Sequence, residues 1–438
     1  MALSEAQQRA VISRVSWNLV PLLFFCYIVA YIDRINVGFA KSHLEPVLGV
    51  DPKIFGEVFG TGAGLFFIGY FLFEVPSNLA MQKVGARIWI ARIMIVWGLV
   101  SMCFMFIHDK TSFYLLRFLL GAAEAGFFPG VILYLTWWFP AKERAKTVAL
   151  FALGGVAAGM IGSPISGLLL KMDGIANLPG WKWLFLIEAI PAVLMGLVVL
   201  FYLPNRPADA KWLSIPERTW LINKIAAEAQ QAEVRRMSLK DVFTSPLVWV
   251  LCLLYFLVNV AGYGYEFWLP SIVKGKIEPM FAKEHLDLLT GLLNMIPYFV
   301  AGVAMILVSR HSDQSGERRK HIAASAFVAA IGFAGAAFLQ NPWLALASLV
   351  VALAGQKSTL GPFWALGTSQ LSGTAAAGGI AFINSVGNLG GYFGPKMVGM
   401  IADKDRGSGT IAMLWLGGAL LLLSVIAMNL PEAKRKAE

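Results

Sequence analysis

The chain alternates long apolar stretches with short polar connections from end to end. Twelve stretches are long enough to cross a bilayer of roughly 30 Å, so the pattern predicts twelve membrane-spanning helices. One polar stretch, residues 204–245, is far longer than the other connections and separates six spans from six; its middle, 216–234, has the pattern of an amphipathic helix lying along a membrane surface. The predicted bounds of spans 1 to 12 are 17–40, 56–81, 88–107, 112–139, 145–170, 183–203, 246–272, 286–309, 322–340, 343–366, 376–401 and 410–430.

Composition supports a membrane protein with many spans rather than a soluble globule. Of 438 residues, 58% are hydrophobic and only 14% are charged, and the mean hydropathy is +0.67. The three cysteines, Cys26, Cys103 and Cys252, lie in apolar runs without metal or disulfide spacing. The N-terminus has no cleavable signal pattern, so span 1 can direct insertion. We expect no cofactor.

The basic residues are distributed unevenly between the two sets of connections. Of 36 lysines and arginines, 22 lie in the two termini, in 204–245 and in the loops on that side, against 10 in the opposite loops. The positive-inside rule therefore predicts that both termini are cytoplasmic. This bias accounts for the net charge of +10 without a nucleic-acid partner.

The two groups of six spans repeat each other. Gly85 and Gly316, in equivalent basic loops, are 231 residues apart, as are Pro164 of span 5 and Pro395 of span 11. The spacing predicts a first six-helix bundle over 1–203, a cytoplasmic linker over 204–245 and a second bundle over 246–438. Small residues around both prolines permit close packing and rocking between the halves, which indicates a carrier.

Charged residues inside the spans are the strongest functional signal. In span 4, Arg117, Gly121 and Glu124 share one helix face, and a lipid-facing charge there would cost at least about 3 kcal/mol. An arginine near a carboxylate suits holding an anion and switching with a proton; the alternative is an ion pair that only orders the bundle. Pro129 is expected to bend this helix.

At the end of span 1, Arg34 shares a face with Tyr31, and Asp33 points elsewhere. The functional hypothesis places Arg34 on a substrate carboxylate and Asp33 at a proton site, and the alternative is a local structural pair. Glu124 is the second candidate proton site.

These residues resemble the anion:cation symporter family of the major facilitator superfamily, and within it the bacterial permeases for tartrate, hydroxyphenylacetate and phthalate-type acids. The similarity covers nearly the whole chain and rests on motifs at 31–36, 117–129, 138–145, 159–167, 180–185, 382–388 and 390–399. It implies an all-α membrane fold with 12 helices in two pseudo-symmetric six-helix bundles. It also implies alternating access, proton-coupled uptake of a small organic carboxylate, and a role for Arg117 in linking Glu124 to Asp33.

The residue pattern and the resemblance together give a candidate site. The proton-coupling candidates are Asp33, Glu124 and Arg117, and the substrate-binding candidates are Tyr31, Arg34, Arg117, Tyr263, Tyr265, Lys357, Trp364, Asn384 and Asn388. Glu74 and Glu266 are expected to be structural or solvated, because they lie near span ends. The expected partners are a mono- or dicarboxylate, H+ and membrane lipid, and the protein is expected to be a monomer.

Lys357 leaves two alternatives open. It lies deep within span 10, so its ammonium could face the cavity and hold a second acidic group, or it could pair with a nearby carboxylate.

Other classes of membrane protein would need other patterns. A channel would need a ring of like charges, and an enzyme would need a metal, nucleophile or phosphate motif; neither pattern is present in the sequence. A sugar or drug carrier of the same superfamily is the remaining alternative.

Overall fold

The computed structural model describes residues 3–233, 244–370, 374–404 and 409–430, which form helices joined by turns, with no strand in these ranges. The first six spans are Glu5–Ile35 continued by Val37–Leu44, Phe55–Val84, Ala86–Met102, Lys110–Glu124 continued by Phe127–Thr136, Ala141–Leu170, and Gly180–Tyr202. The second six are Pro246–Glu266 continued by Leu269–Ile277, Lys283–Ser315, Arg319–Phe338, Pro342–Ser358 continued by Leu360–Gln370, Thr374–Asn388 continued by Gly390–Lys404, and Thr410–Met428.

Twelve spans are confirmed, and five of them consist of two consecutive helices. Eleven helices in the described ranges are long and apolar enough to cross a membrane. Span 11 consists of two shorter helices separated by Leu389, just before the small residues that precede Pro395. Spans 1 and 7 both continue as a short second helix, and spans 4 and 10 are both broken, so the second half repeats the irregularities of the first.

The break in span 4 does not occur where the sequence predicted it. Ala125 is extended and Gly126 is left-handed, with φ of 86°. Pro129 lies in the first turn of the following helix, where its missing N–H would have had no helical partner. Gly126 therefore makes the turn, since a residue without a Cβ adopts positive φ without strain.

The two six-helix halves meet along two seams, span 2 against span 11 and span 5 against span 8. We call the face that carries Leu3 and Leu430 the terminal face, and the opposite one the distal face. On the distal face Asp403 accepts hydrogen bonds from the amides of Gly56 and Glu57 at 2.8 and 2.7 Å. Those amides begin the helix of span 2, so the carboxylate also meets the positive end of its dipole.

A second contact on the distal face joins the ends of spans 1 and 8. His43 Nε2 lies 3.4 Å from Asp287 Oδ2, and Lys274 Nζ lies 2.6 Å from Asp287 Oδ1. Close backbone packing accompanies these bonds, because a Cβ on Gly38 would lie only 2.8 Å from the carbonyl oxygen of Phe267. The halves are therefore held together at this face.

The predicted amphipathic helix of the linker is present as Ile215–Glu233, with Leu221 buried and Glu217 bonded to Arg14 at 3.0 Å. The end of the linker lies outside the described residues, and so do several basic residues used in the charge argument, namely Arg235, Arg236, Lys240, Arg406, Lys434, Arg435 and Lys436. The bundle boundaries at 203 and 246 stay predictions.

Candidate functional site

A cavity of about 40 Å³ lies between the two halves, at mid-depth of the spans. It has room for a few water molecules, so a larger solute can enter only if the walls move. Its walls combine one guanidinium and two amides with a majority of aromatic rings, contributed by Tyr27, Arg34, Phe66, Phe67, Tyr70, Phe128, Tyr255, Tyr263, Asn384 and Asn388.

Arg34 is the cation in the cavity wall, and it pairs with Glu124. The two side chains are 8% and 1% exposed, and Arg34 Nη2 donates to Glu124 Oε1. Arg34 Nη1 donates to the hydroxyl of Tyr263 at 3.1 Å, which joins the first half to the second. Within the described chain, Arg34 Nε and Glu124 Oε2 have no hydrogen-bond partner. The pair therefore keeps one free donor and one free acceptor.

Local structure places both groups. Arg34 is next to the last residue of the first helix of span 1, so it lies near the break at Asn36. Glu124 ends its helix directly before the turn at Gly126. The rings of Phe66, Tyr70 and Tyr31 lie 5.2, 5.7 and 5.6 Å from the guanidinium carbon, within the range of a cation–π contact.

Arg117 faces protein, as expected from the high free energy of a charge in lipid, but it does not reach the cavity. Its side chain is fully buried and donates to the backbone carbonyls of Ala63 at 2.9 Å and Gly62 at 3.4 Å. The sequence placed Arg117 and Glu124 on one helix face, which is correct. Two of its donors bond to the carbonyls of span 2, while Nη1 has no hydrogen-bond partner in the described chain, so its assignment to substrate binding stays a prediction.

Asp33 also lies outside the cavity. Its carboxylate accepts bonds from the indole of Trp97 and the hydroxyl of Ser101, both at 2.8 Å, and is 1% exposed. Both donors belong to span 3. The carboxylate is therefore enclosed within the first half, on the other side of the helix from Arg34.

A second buried ion pair joins Lys357 of span 10 to Glu266 of span 7, with Nζ 2.7 Å from Oε1. Of the two expectations for Glu266, solvation is excluded, because the chain continues past it as the helix Leu269–Ile277 and leaves Glu266 2% exposed; a structural role agrees with its ion pair. Of the two alternatives for Lys357, the structure shows pairing with a carboxylate. The hydroxyl of Tyr31 bonds to both partners.

Glu74 joins span 2 to span 11 at the side of the cavity. It accepts from Asn384 Nδ2 and from the hydroxyl of Ser385, each at 2.9 Å, and is 2% exposed. Glu74 is therefore not solvated, and the structural role expected for it consists of a bridge between the two halves. Asn384 also lines the cavity, and Asn388 lies one turn farther along the same wall.

Two predicted substrate contacts belong elsewhere in the second half. Tyr265 donates to the carbonyl of Leu349 at 3.1 Å, and its ring packs on Phe333, inside the bundle. Trp364 packs edge-on against Tyr255 with 4.9 Å between ring centres, so it supports the wall without lining it. Residues two positions apart in a helix point about 200° apart, so Tyr263 bonds to Arg34 while Tyr265 points into the bundle.

Sequence reasoning missed most of the aromatic wall. Tyr27 and Tyr31 are i, i+4 in span 1, and Tyr255 lies two turns before Tyr263, which are spacings that could have marked them. Phe66, Phe67, Tyr70 and Phe128 gave no such signal, because aromatic residues are common throughout the spans.

Comparison with known proteins identifies the fold. A sequence model of the Major Facilitator Superfamily matches residues 23–395. The chain belongs to the major facilitator superfamily. The crystal structure of a D-xylose-proton symporter superposes on this major facilitator with a TM-score of 0.76, covering 96% of this chain and 99% of that one, at 14% sequence identity.

Two curated relatives align over almost their whole length. A protein of Agrobacterium vitis described as "Putative tartrate transporter" is 44% identical over 427 residues, covering 98% of this chain and 92% of the relative. A "Quinolone resistance transporter" of Acinetobacter baumannii is 41% identical over 428 residues, covering 98% and 96%. The membership predicted from the motifs is confirmed, and this major facilitator is a multi-pass membrane transporter rather than an enzyme.

Proposed function

We propose that the protein imports a small organic carboxylate together with at least one proton, by alternating access across a cell inner membrane with both termini cytoplasmic. The tartrate-transporter relative, similar along 98% of the chain, supports an organic acid as the substrate. We expect the transporter to act as a monomer, since each chain supplies both walls of its own cavity.

The observation that carries the proposal is the pair Arg34–Glu124 at the cavity wall. An arginine keeps its charge at every physiological pH and presents a planar fork that matches a carboxylate. Here one donor of the fork is used by Glu124, a carboxylate that can be neutralised by a proton. A substrate carboxylate and Glu124 therefore compete for the same guanidinium.

Competition of this kind couples the two ligands. When Glu124 takes up a proton, its neutral carboxyl group no longer forms an ion pair with Arg34. The guanidinium of Arg34 is then free to bind the substrate anion. Bound anion in turn neutralises Arg34 and makes protonation of Glu124 easier. Each ligand raises the affinity for the other by the same factor, so binding of the anion and binding of the proton are coupled.

Asp33 and Arg117 enter the proposal as supporting groups. Asp33 is the second proton site predicted from the sequence, enclosed by Trp97 and Ser101 on the far side of span 1 from the cavity. Arg117 fixes span 4 to the carbonyls of span 2 and so positions Glu124, seven residues later in the same helix. Both act on Arg34 through the helices they hold.

Uptake into proteoliposomes tests the proposal. A panel of labelled organic acids, with tartrate first, is offered to purified protein under an inwardly directed proton gradient. We expect saturable accumulation of at least one acid that a protonophore abolishes, and counterflow that persists without a gradient. Accumulation insensitive to the protonophore would contradict proton coupling, and no uptake of any acid would contradict the substrate class.

A drug carrier is the second candidate, and the aromatic wall of the cavity favours it. Seven of the ten lining residues are phenylalanine or tyrosine, which suit a flat apolar solute. A relative described as a quinolone resistance transporter is 41% identical. The same liposomes distinguish the two functions. A proton-driven drug exporter would move an aromatic drug in the direction opposite to the flow of protons and would not transport small acids.

A further inference from the structure

Two buried ion pairs lie on either side of one tyrosine, Tyr31. Arg34 and Glu124 belong to the first half, and Lys357 and Glu266 belong to the second. The Lys357 and Glu266 side chains are 9% and 1% exposed, so the second pair is as well enclosed as the first. Each half thus contributes one cation held by one carboxylate.

Each cation also contacts a tyrosine hydroxyl of the opposite half. Arg34 donates to Tyr263 at 3.1 Å, and Lys357 donates to Tyr31 at 3.2 Å, while Tyr31 donates onward to Glu266 Oε2 at 2.7 Å. Arg34 Cζ and Lys357 Nζ each lie 5.6 Å from the ring centre of Tyr31. The two charges are therefore separated by no more than twice that distance.

We propose that Lys357 is a second anion subsite, so that the substrate is a small acid with two carboxylates, bound by Arg34 at one end and Lys357 at the other. This inference rests on the proposed function. Each carboxylate of the acid replaces a glutamate at its cation, and each displaced glutamate takes up one proton. Two negative charges enter with two protons, so the buried site stays neutral and no covalent bond changes.

The surroundings of Glu266 favour this exchange over a purely structural pair. In the part of the chain that the structure describes, the charged and titratable groups that interact with Glu266 are Lys357 from span 10, Tyr31 from span 1, Tyr298 from span 8, and Tyr263 and Tyr265 from its own span. Lys357 is the one cation of this set, so any carboxylate that takes Lys357 leaves Glu266 without a counter-charge.

The position of the pair also links binding to closure. Buried ion pairs add little to stability on average, because desolvation offsets their attraction. This one is bonded to Tyr31 across the interface between the halves rather than within one bundle. An acid bridging Arg34 and Lys357 would draw the two halves together across the cavity, which closes the site around it.

The test compares L-tartrate with L-threonate, which replaces one carboxylate of the same four-carbon acid by a hydroxymethyl group. Affinities are measured by calorimetry and by uptake, in wild type, in Lys357→Met and in the double variant Lys357→Met/Glu266→Gln, which leaves no unpaired buried charge. We expect wild type to prefer tartrate by at least about tenfold and both variants to lose that preference. Lys396→Met is the matched control, because Lys396 is another span lysine, bonded to Tyr392 rather than to a carboxylate in the described chain.

Proton counting gives the second readout. At neutral pH and above, where both acids are fully ionised, tartrate affinity should change with pH as if two protons were bound, and threonate affinity as if one were. Glu266→Gln should reduce the tartrate dependence to one proton and leave the threonate dependence at one. Equal losses for both acids in the Lys357 variants, or an unchanged tartrate dependence in Glu266→Gln, would overturn the second subsite. Uptake of neither these acids nor any acid of the panel would instead contradict the proposed function.

Discussion

The two ion pairs differ in the group that carries the positive charge, a guanidinium in one and an ammonium in the other, and in how close they lie to the cavity. Arg34 lines the cavity and is surrounded by aromatic rings, with Glu124 as its acidic partner. Lys357 does not line the cavity; its compact ammonium bonds to the hydroxyl of Tyr31. A guanidinium can bind Glu124, Tyr263 and a further ligand at once through separate donors, whereas an ammonium offers three donors from a single atom.

This difference suggests an order of events at the site. An entering acid meets Arg34 first, because only this cation is in the wall of the cavity. Lys357 becomes available after Tyr31 and Glu266 give up their bonds to it. The first pair should then determine whether any acid binds, and the second should determine which acid is preferred. The variants below test that division.

The largest expected effect is the loss of Arg34. Arg34→Ala should lower the uptake rate of every acid by at least about thirtyfold, since removal of one member of a buried charge pair typically costs about 2–5 kcal/mol. Arg34→Lys keeps the charge but loses the fork, and we expect a severe loss there too. Uptake at several acid concentrations gives the rates. Near-normal binding by Arg34→Ala would show that Arg34 is only structural.

Replacement of Glu124 should separate binding from coupling. Glu124→Gln imitates the protonated side chain, so the anion should still bind and exchange in counterflow. Threonate accumulation driven by a proton gradient should disappear, because threonate engages Arg34 alone and the variant has no proton to carry on this pair. Glu266→Gln is the comparison from the second half, and threonate accumulation should survive in it. Wild-type threonate accumulation by Glu124→Gln would remove Glu124 from the proton path.

Asp33 should have a smaller effect on binding than either member of the first pair. Asp33→Asn keeps the shape and the contacts with Trp97 and Ser101 but removes the proton site. We expect accumulation to fall while acid affinity stays within about threefold, since the carboxylate does not reach the cavity. Parallel measurement of accumulation and equilibrium binding checks this. A loss of affinity as large as that of Arg34→Ala would place Asp33 at the substrate.

The smallest expected effect is at the tyrosines of span 7. Tyr263→Phe removes one hydroxyl from Arg34 and should weaken acid binding by about 0.5–1.5 kcal/mol, the net value of a typical hydrogen bond. Tyr265→Phe is the matched control: its hydroxyl bonds to the Leu349 carbonyl inside the bundle, so affinity should not change. Similar losses in both variants would mean that the effect arises from packing of span 7 rather than from Arg34.

The fold and the depth of the charged residues can both be predicted from the amino-acid sequence. Unsatisfied backbone groups are so costly in lipid that apolar stretches of this length must be helices, which makes the count of spans readable from hydropathy. The repeated spacing of Gly85 with Gly316 and Pro164 with Pro395 revealed the two halves. The cost of a charge in lipid also required Arg34, Glu124 and Lys357 to face protein or water, and all three are buried.

Which charged groups form pairs could not be predicted in this way, because it depends on how the helices pack. Helix periodicity placed Arg117 on the same face as Glu124, yet Arg117 bonds to span 2, and Glu124 bonds to Arg34 of a different span. Glu266 was assigned to a span end until the continuation of its helix showed it to be buried beside Lys357. Periodicity fixes the direction of a side chain around its own helix axis. The partner depends on the rotation and approach of a second helix far away in sequence, which packing of the whole bundle sets.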